Sequence, residues 1–82
     1  MENAAIYDKL TAVFRTVLEN DSLVIAPELT ARDVSEWDSL GHIRLIIATE
    51  KAFGVRFKTS EINGFENVGQ LVDLIAEKIG GP

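Results

Sequence analysis

The chain has 82 residues, no cysteine, a single histidine (His42) and a formal net charge of −5. That length holds one small core with no deep cleft, and a compact chain of this size has a radius of gyration of about 12 Å. The missing cysteines exclude disulfides, thiolate metal sites and a nucleophilic thiol of the chain's own. A lone histidine excludes a His-rich metal cluster, and the acidic balance argues against nucleic acid, whose binders need a basic face.

Hydrophobic residues make up 46% of the chain and charged residues 26%, too apolar a mixture for disorder. No apolar run reaches the length of a membrane span. Met1-Glu2-Asn3 lacks the charged-then-apolar layout of a signal peptide, so the expected address is the cytoplasm. Residues 1–82 read as one domain without repeats, with Gly80-Gly81-Pro82 as a frayed tail.

Helical periodicity dominates. Ile6, Leu10, Val13, Phe14, Val17 and Leu18 share one face of a first helix over about 4–19, with Asn3 as its cap and Asn20-Asp21-Ser22 as its stop. A connection over 20–37 follows, with Leu23, Val24, Ile25, Leu29 and Val34 as apolar anchors. A loop that long in a small domain is expected to be functional or pinned to the core. A second helix spans about 39–53 and ends at Gly54, a residue suited to a left-handed C-terminal cap. Thr59-Ser60 offers a cap for a short helix over about 60–63. Asn67 and Gln70 have the spacing of a capping box for a last helix over about 68–79. No strand alternation persists, so the fold expected is a small all-α four-helix bundle, three helices long and one short.

The second helix is apolar on two faces. Leu45, Ile46, Thr49 and Phe53, with His42, form one stripe, while Leu40, Ile43 and Ile47 fall nearly opposite, flanked by Arg44 and Lys51. One stripe faces the core. The other is either a partner surface, the favoured reading, or lies beneath the long loop.

Asp38-Ser39-Leu40 stands where the loop turns into this helix. Either Asp38 or Ser39 serves as an N-cap there. A phosphate on Ser39 would also be stabilised by the free N–H groups and the positive dipole end of the first turn. No Ser/His/Asp arrangement, Gly-rich phosphate loop or EF-hand ladder argues for an enzyme or a calcium site.

The segment Glu36-Trp37-Asp38-Ser39-Leu40-Gly41-His42-Ile43 resembles the modification site of acyl carrier proteins. The long first loop, Glu50, Phe53-Gly54, the short third helix and Val68 at the start of the last helix extend the resemblance over nearly the whole chain. The resemblance implies an acyl-carrier-like bundle whose serine, here Ser39, takes 4′-phosphopantetheine from a phosphopantetheinyl transferase. The acyl group would then ride as a thioester on the arm. Asp38 would help position the serine during modification. Leu40, Ile43, Arg44 and Ile47 would meet partner enzymes, and the core stripe would shelter the acyl chain. The partners implied are the transferase, a loading ligase or acyltransferase, and a ketosynthase or other pathway enzyme. Nucleic acid and membrane are not among them, and a monomer is expected. An aminoacyl or peptidyl carrier, or an unmodified helical adaptor, remains the alternative.

Some features depart from the family pattern. Fatty-acid-type carriers present a strongly acidic second helix, but residues 39–53 sum to +1 here, against −5 before them and −1 after. Arg44 stands where an acid is usual, which points to a dedicated lipid, polyketide or secondary-metabolite pathway. Trp37 reads as a loop anchor, and His42 as a packed residue near the mouth of the acyl region. Thr49 replaces the larger aliphatic that long-chain carriers prefer. Gly41, costly inside a helix, reads either as a close backbone approach or as clearance for a partner.

Overall fold

The computed structural model describes residues 3–80. It is all-helical, with α1 (Asn3–Val17), α2 (Ser39–Phe53), the short α3 (Thr59–Ile62) and α4 (Val68–Gly80). A 3-10 turn over Ala31–Asp33, absent from the periodicity reading, interrupts the long connection. The radius of gyration is 11.6 Å. The core is built from Ile6, Leu10 and Phe14 of α1, Leu45 and Ile46 of α2, and Val68, Leu71, Val72 and Ile75 of α4. Burying each large aliphatic side chain contributes about 1.5–3 kcal/mol, so this shared centre holds the three long helices together.

The helix ends explain where the sequence expectations shift. Helix α1 includes Asn3 instead of being capped by it, and it closes two residues earlier than expected. Its exit is a Schellman turn: Asn20 N–H donates to Arg15 O at 3.0 Å, and Glu19 takes the left-handed conformation at φ 53°. Helix α2 exits by the same device, with Gly54 at φ 66° and Val55 N–H donating to Glu50 O at 3.1 Å. Helix α3 starts at Thr59, so neither hydroxyl of Thr59-Ser60 is its cap. Lys58 stands at the cap position, and its N–H donates to Glu61 Oε1 at 2.8 Å. The box at α4 is half as expected. Gln70 N–H donates to Asn67 Oδ1 at 2.9 Å, but the Gln70 side chain reaches one residue further back, to Glu66 N–H at 2.7 Å. Gly80 belongs to α4, and the rest of the expected tail, Gly81-Pro82, lies outside the described residues.

The long connection is pinned. Ile25, Val34 and Trp37 enter the core, with Leu23 and Leu29 packed partly against it. The N-terminus of α4 binds the loop directly, Val68 N–H donating to Leu29 O and Gly69 N–H to Pro27 O, both at 2.9 Å. Two of that helix's otherwise orphaned donors are thereby satisfied by loop carbonyls. Arg15 Nε adds a bond to Leu23 O at 2.8 Å. Val24 is the exception among the expected anchors. It is 72% exposed, because its neighbours Leu23 and Ile25 turn inward and the extended backbone sends it the other way.

Candidate functional site

The site forms where this pinned loop hands over to α2. Asp38 is the N-cap, in extended conformation, and its Oδ1 accepts from Gly41 N–H at 2.7 Å. Its carbonyl accepts from His42 N–H at 2.8 Å. Capping is therefore done by Asp38, and Ser39 stands exposed as the first helical residue. The N–H groups of Ser39 and Leu40 precede any helical carbonyl they could pair with, so the positive end of α2 is concentrated at the serine.

Gly41 settles one open reading. A Cβ on it would lie 2.6 Å from Glu36 O and 3.2 Å from Leu18 Cδ2. The loop backbone crosses α2 at this point, so the glycine is a close approach within the fold. The crossing also seats Trp37. Its ring is buried, edge-on to Phe14 at 5.1 Å between centroids. Its Nε1–H donates to His42 Nδ1 at 3.1 Å. With Nδ1 accepting, His42 carries its proton on Nε2 and donates to Ile62 O at 2.8 Å. His42 thus ties the loop, α2 and the end of α3 into one corner, and its ring lies 5.3 Å from that of Phe65. The bond to a main-chain carbonyl twenty residues away had no signal in the sequence.

An open hollow lies beside Ser39, bounded by Trp37, Asp38, His42 and Ile43 and faced by Ala31 and Asn63. Asn63, the residue that closes α3, is part of its lining. That helix buries no residue of its own and packs at most lightly on the other helices. Besides His42, its ties are Ile62, partly packed against the core, and Glu61, bridged to Lys78 of α4 at 2.8 Å. The Lys58 N–H and then the Lys78 ammonium, both bonded to its carboxylate, hold Glu61 below the ordinary carboxylate pKa.

The two stripes of α2 are separated as drawn from the sequence. Leu45, Ile46 and Thr49 are buried, while Leu40, Ile43 and Ile47 are 59%, 49% and 48% exposed and carry no loop over them. Arg44 is exposed beside them. The serine and the apolar outer stripe therefore share one surface.

A small exposed serine at a helix N-terminus, beside a hollow and an apolar shelf, fits a covalently attached phosphate-bearing group. The profile of the phosphopantetheine attachment site family matches residues 8–75, a span that includes Ser39. The acyl carrier protein of Picosynechococcus sp. is 30% identical over 78 residues, covering 95% of this chain and 96% of the relative. That of Thermosynechococcus vestitus is 29% identical over 79 residues, covering 96% and 98%. The solution NMR structure of holo acyl carrier protein from Geobacter metallireducens superposes with a TM-score of 0.85 at 39% identity, over 90% of this chain and 85% of that one. The chain belongs to the acyl carrier protein family, and with it comes 4′-phosphopantetheine as the covalently bound group. Proteins of this family are carriers. Among the described residues no helix is long and apolar enough to cross a membrane.

Proposed function

We propose that Ser39 is the attachment point and that the protein presents acyl intermediates to the enzymes of one dedicated pathway. The observation that carries this reading is the division of labour at the start of α2: Asp38 caps the helix, which leaves Ser39 exposed and uncommitted. The serine oxygen would be held as a phosphodiester in the field of the first turn, where a phosphate is favoured. The bound arm supplies the thiol that the chain lacks, and the acyl group rides on it as a thioester. Asp38 keeps the serine in place while a phosphopantetheinyl transferase acts on it. Residues 1–82 then serve as one cytoplasmic, monomeric carrier domain that meets several enzymes in turn.

Leu40, Ile43 and Ile47 form the shelf on which a loading ligase, acyltransferase or ketosynthase docks, with Arg44 exposed at its edge. A cation there disfavours enzymes that recruit carriers through basic patches, and encounter rates follow charge. This supports a dedicated lipid, polyketide or secondary-metabolite pathway over bulk fatty-acid synthesis.

Intact mass after co-expression with a broad-range phosphopantetheinyl transferase tests the attachment. The wild type gains one phosphopantetheine, and Ser39→Ala gains none while folding normally. No gain on the wild type with any transferase leaves a helical adaptor as the reading. Charge reversal by Arg44→Glu is expected to raise the rate at which a generic malonyl transferase or ketosynthase accepts the holo protein. Full turnover of the unaltered protein by a fatty-acid synthase system would refute the dedicated-pathway part.

A further inference from the structure

The core is apolar with one exception. Thr49 is fully buried, the single polar residue in the buried set of the described residues, and its Oγ1 has no hydrogen-bond partner. A helical threonine ordinarily satisfies its hydroxyl on the carbonyl one turn back. Thr11 of α1 does so, donating to Tyr7 O at 2.7 Å. Thr49 makes no such bond to Leu45 O, and an orphaned hydroxyl in an apolar interior is a cost that needs an explanation.

Its position gives one. Thr49 lies on the inner stripe of α2, below Leu45 and Ile46 and seven residues past His42, about 10 Å along the helix axis at ~1.5 Å per residue. His42 stands at the hollow beside Ser39. Asn63, at the end of α3, also lines that hollow, and α3 is a single short turn with no fully buried residue and only Ile62 partly packed on the core, so it belongs to the easily displaced part of the fold. An apolar chain entering there gains by burial along the stripe and reaches Thr49 well along its length.

We propose that Thr49 Oγ is a specificity-determining group for the cargo, and that this carrier takes an acyl chain bearing a hydroxyl or oxo group mid-chain, at the depth of Thr49, about 10 Å along α2 from His42. The threonine hydroxyl both donates and accepts, so it pairs with either oxygen function. A wholly aliphatic lining would leave the cargo's oxygen buried and unpaired, and Thr49 removes that penalty. The proposal rests on the reading of Ser39 as the attachment point.

The test loads apo protein from two acyl-coenzyme A donors of equal chain length, one saturated and one hydroxylated mid-chain, and follows thioester hydrolysis by intact mass. Protection of the hydroxylated chain relative to the saturated one is expected to fall several-fold in Thr49→Val, which matches the shape and lacks the hydroxyl. Thr49→Ser, which keeps the hydroxyl, is expected to retain the wild-type ratio. Melting curves of the apo variants confirm that each is folded. Equal ratios in wild type and Thr49→Val, on protein that has gained the acyl-phosphopantetheine mass, would overturn the proposal. Absence of any mass gain would instead overturn the attachment at Ser39.

Discussion

The two faces of α2 use the same residue types for opposite ends. Leu45 and Ile46 on the inner face are almost completely removed from water, whereas Leu40, Ile43 and Ile47 on the outer face keep about half of their surface exposed. The inner residues join the core cluster shared with α1 and α4. The outer ones stay half open to water, because the long connection that could have covered them is tied elsewhere, to Arg15 and to the start of α4. Amphipathicity alone therefore does not say which apolar face of a helix makes the fold and which is left for a partner. In this protein the anchoring of a loop decides it.

Truncation separates the faces most sharply. Leu45→Ala should cost about 2–5 kcal/mol, the loss expected for a large side chain deleted from a packed core. Ile43→Ala, on the exposed face, should change stability by no more than about 0.5 kcal/mol. Urea titrations of both variants check the contrast, and similar losses in the two would collapse the distinction.

Gly41 probes the crossing that keeps the loop on the inner side. In Gly41→Ala the new methyl meets Glu36 O, a backbone atom that cannot swing aside without moving Trp37. Overpacking costs about 1–3 kcal/mol and exceeds the ~1 kcal/mol that alanine adds to a helix interior. A lowered melting midpoint, with weaker protection of the Trp37 indole N–H from hydrogen exchange, is the expected result. An increase in stability would mean that the loop yields freely.

The smallest effect belongs to α3, whose closing residue Asn63 lines the hollow. The Glu61 carboxyl has a folded-state pKa below its ordinary value, so its contribution is present above the ordinary value and is lost as pH falls through the depressed one. The pair with Lys78 is partly exposed and contributes little in absolute terms. Wild type and Glu61→Gln should therefore differ slightly in melting temperature near neutrality and converge in acid. A gap that persists at low pH would place the contribution of Glu61 elsewhere.

Much of the site is legible in the sequence. Local rules mark the N-terminus of α2, the glycine at its end and the polar Asn67 before α4, because capping depends on a few neighbouring residues. Other boundaries misled. Glu19 closes α1 in a left-handed conformation that non-glycine residues seldom adopt, so nothing at that position announces the turn. The cap of α3 comes from the Glu61 side chain reaching backward, although two hydroxyl residues stood where a cap is usually sought. Val24 reads as an anchor from its hydrophobicity, yet only the direction of the extended chain determines which of three consecutive apolar residues faces out.

Sequence by itself determined that this chain makes four helices, that α2 is apolar on two sides, and that a serine opens it in a setting resembling an acyl carrier. Those properties follow from periodicity and from residues close along the chain. The tertiary structure decided that Asp38 caps while Ser39 stays free, that Gly41 serves the loop crossing, and that His42 bridges Trp37 to Ile62. It also decided that the hydroxyl of Thr49 is buried without a partner. Each of these depends on how atoms from different helices and the long loop share space, and on whether a polar atom finds a partner when water is excluded.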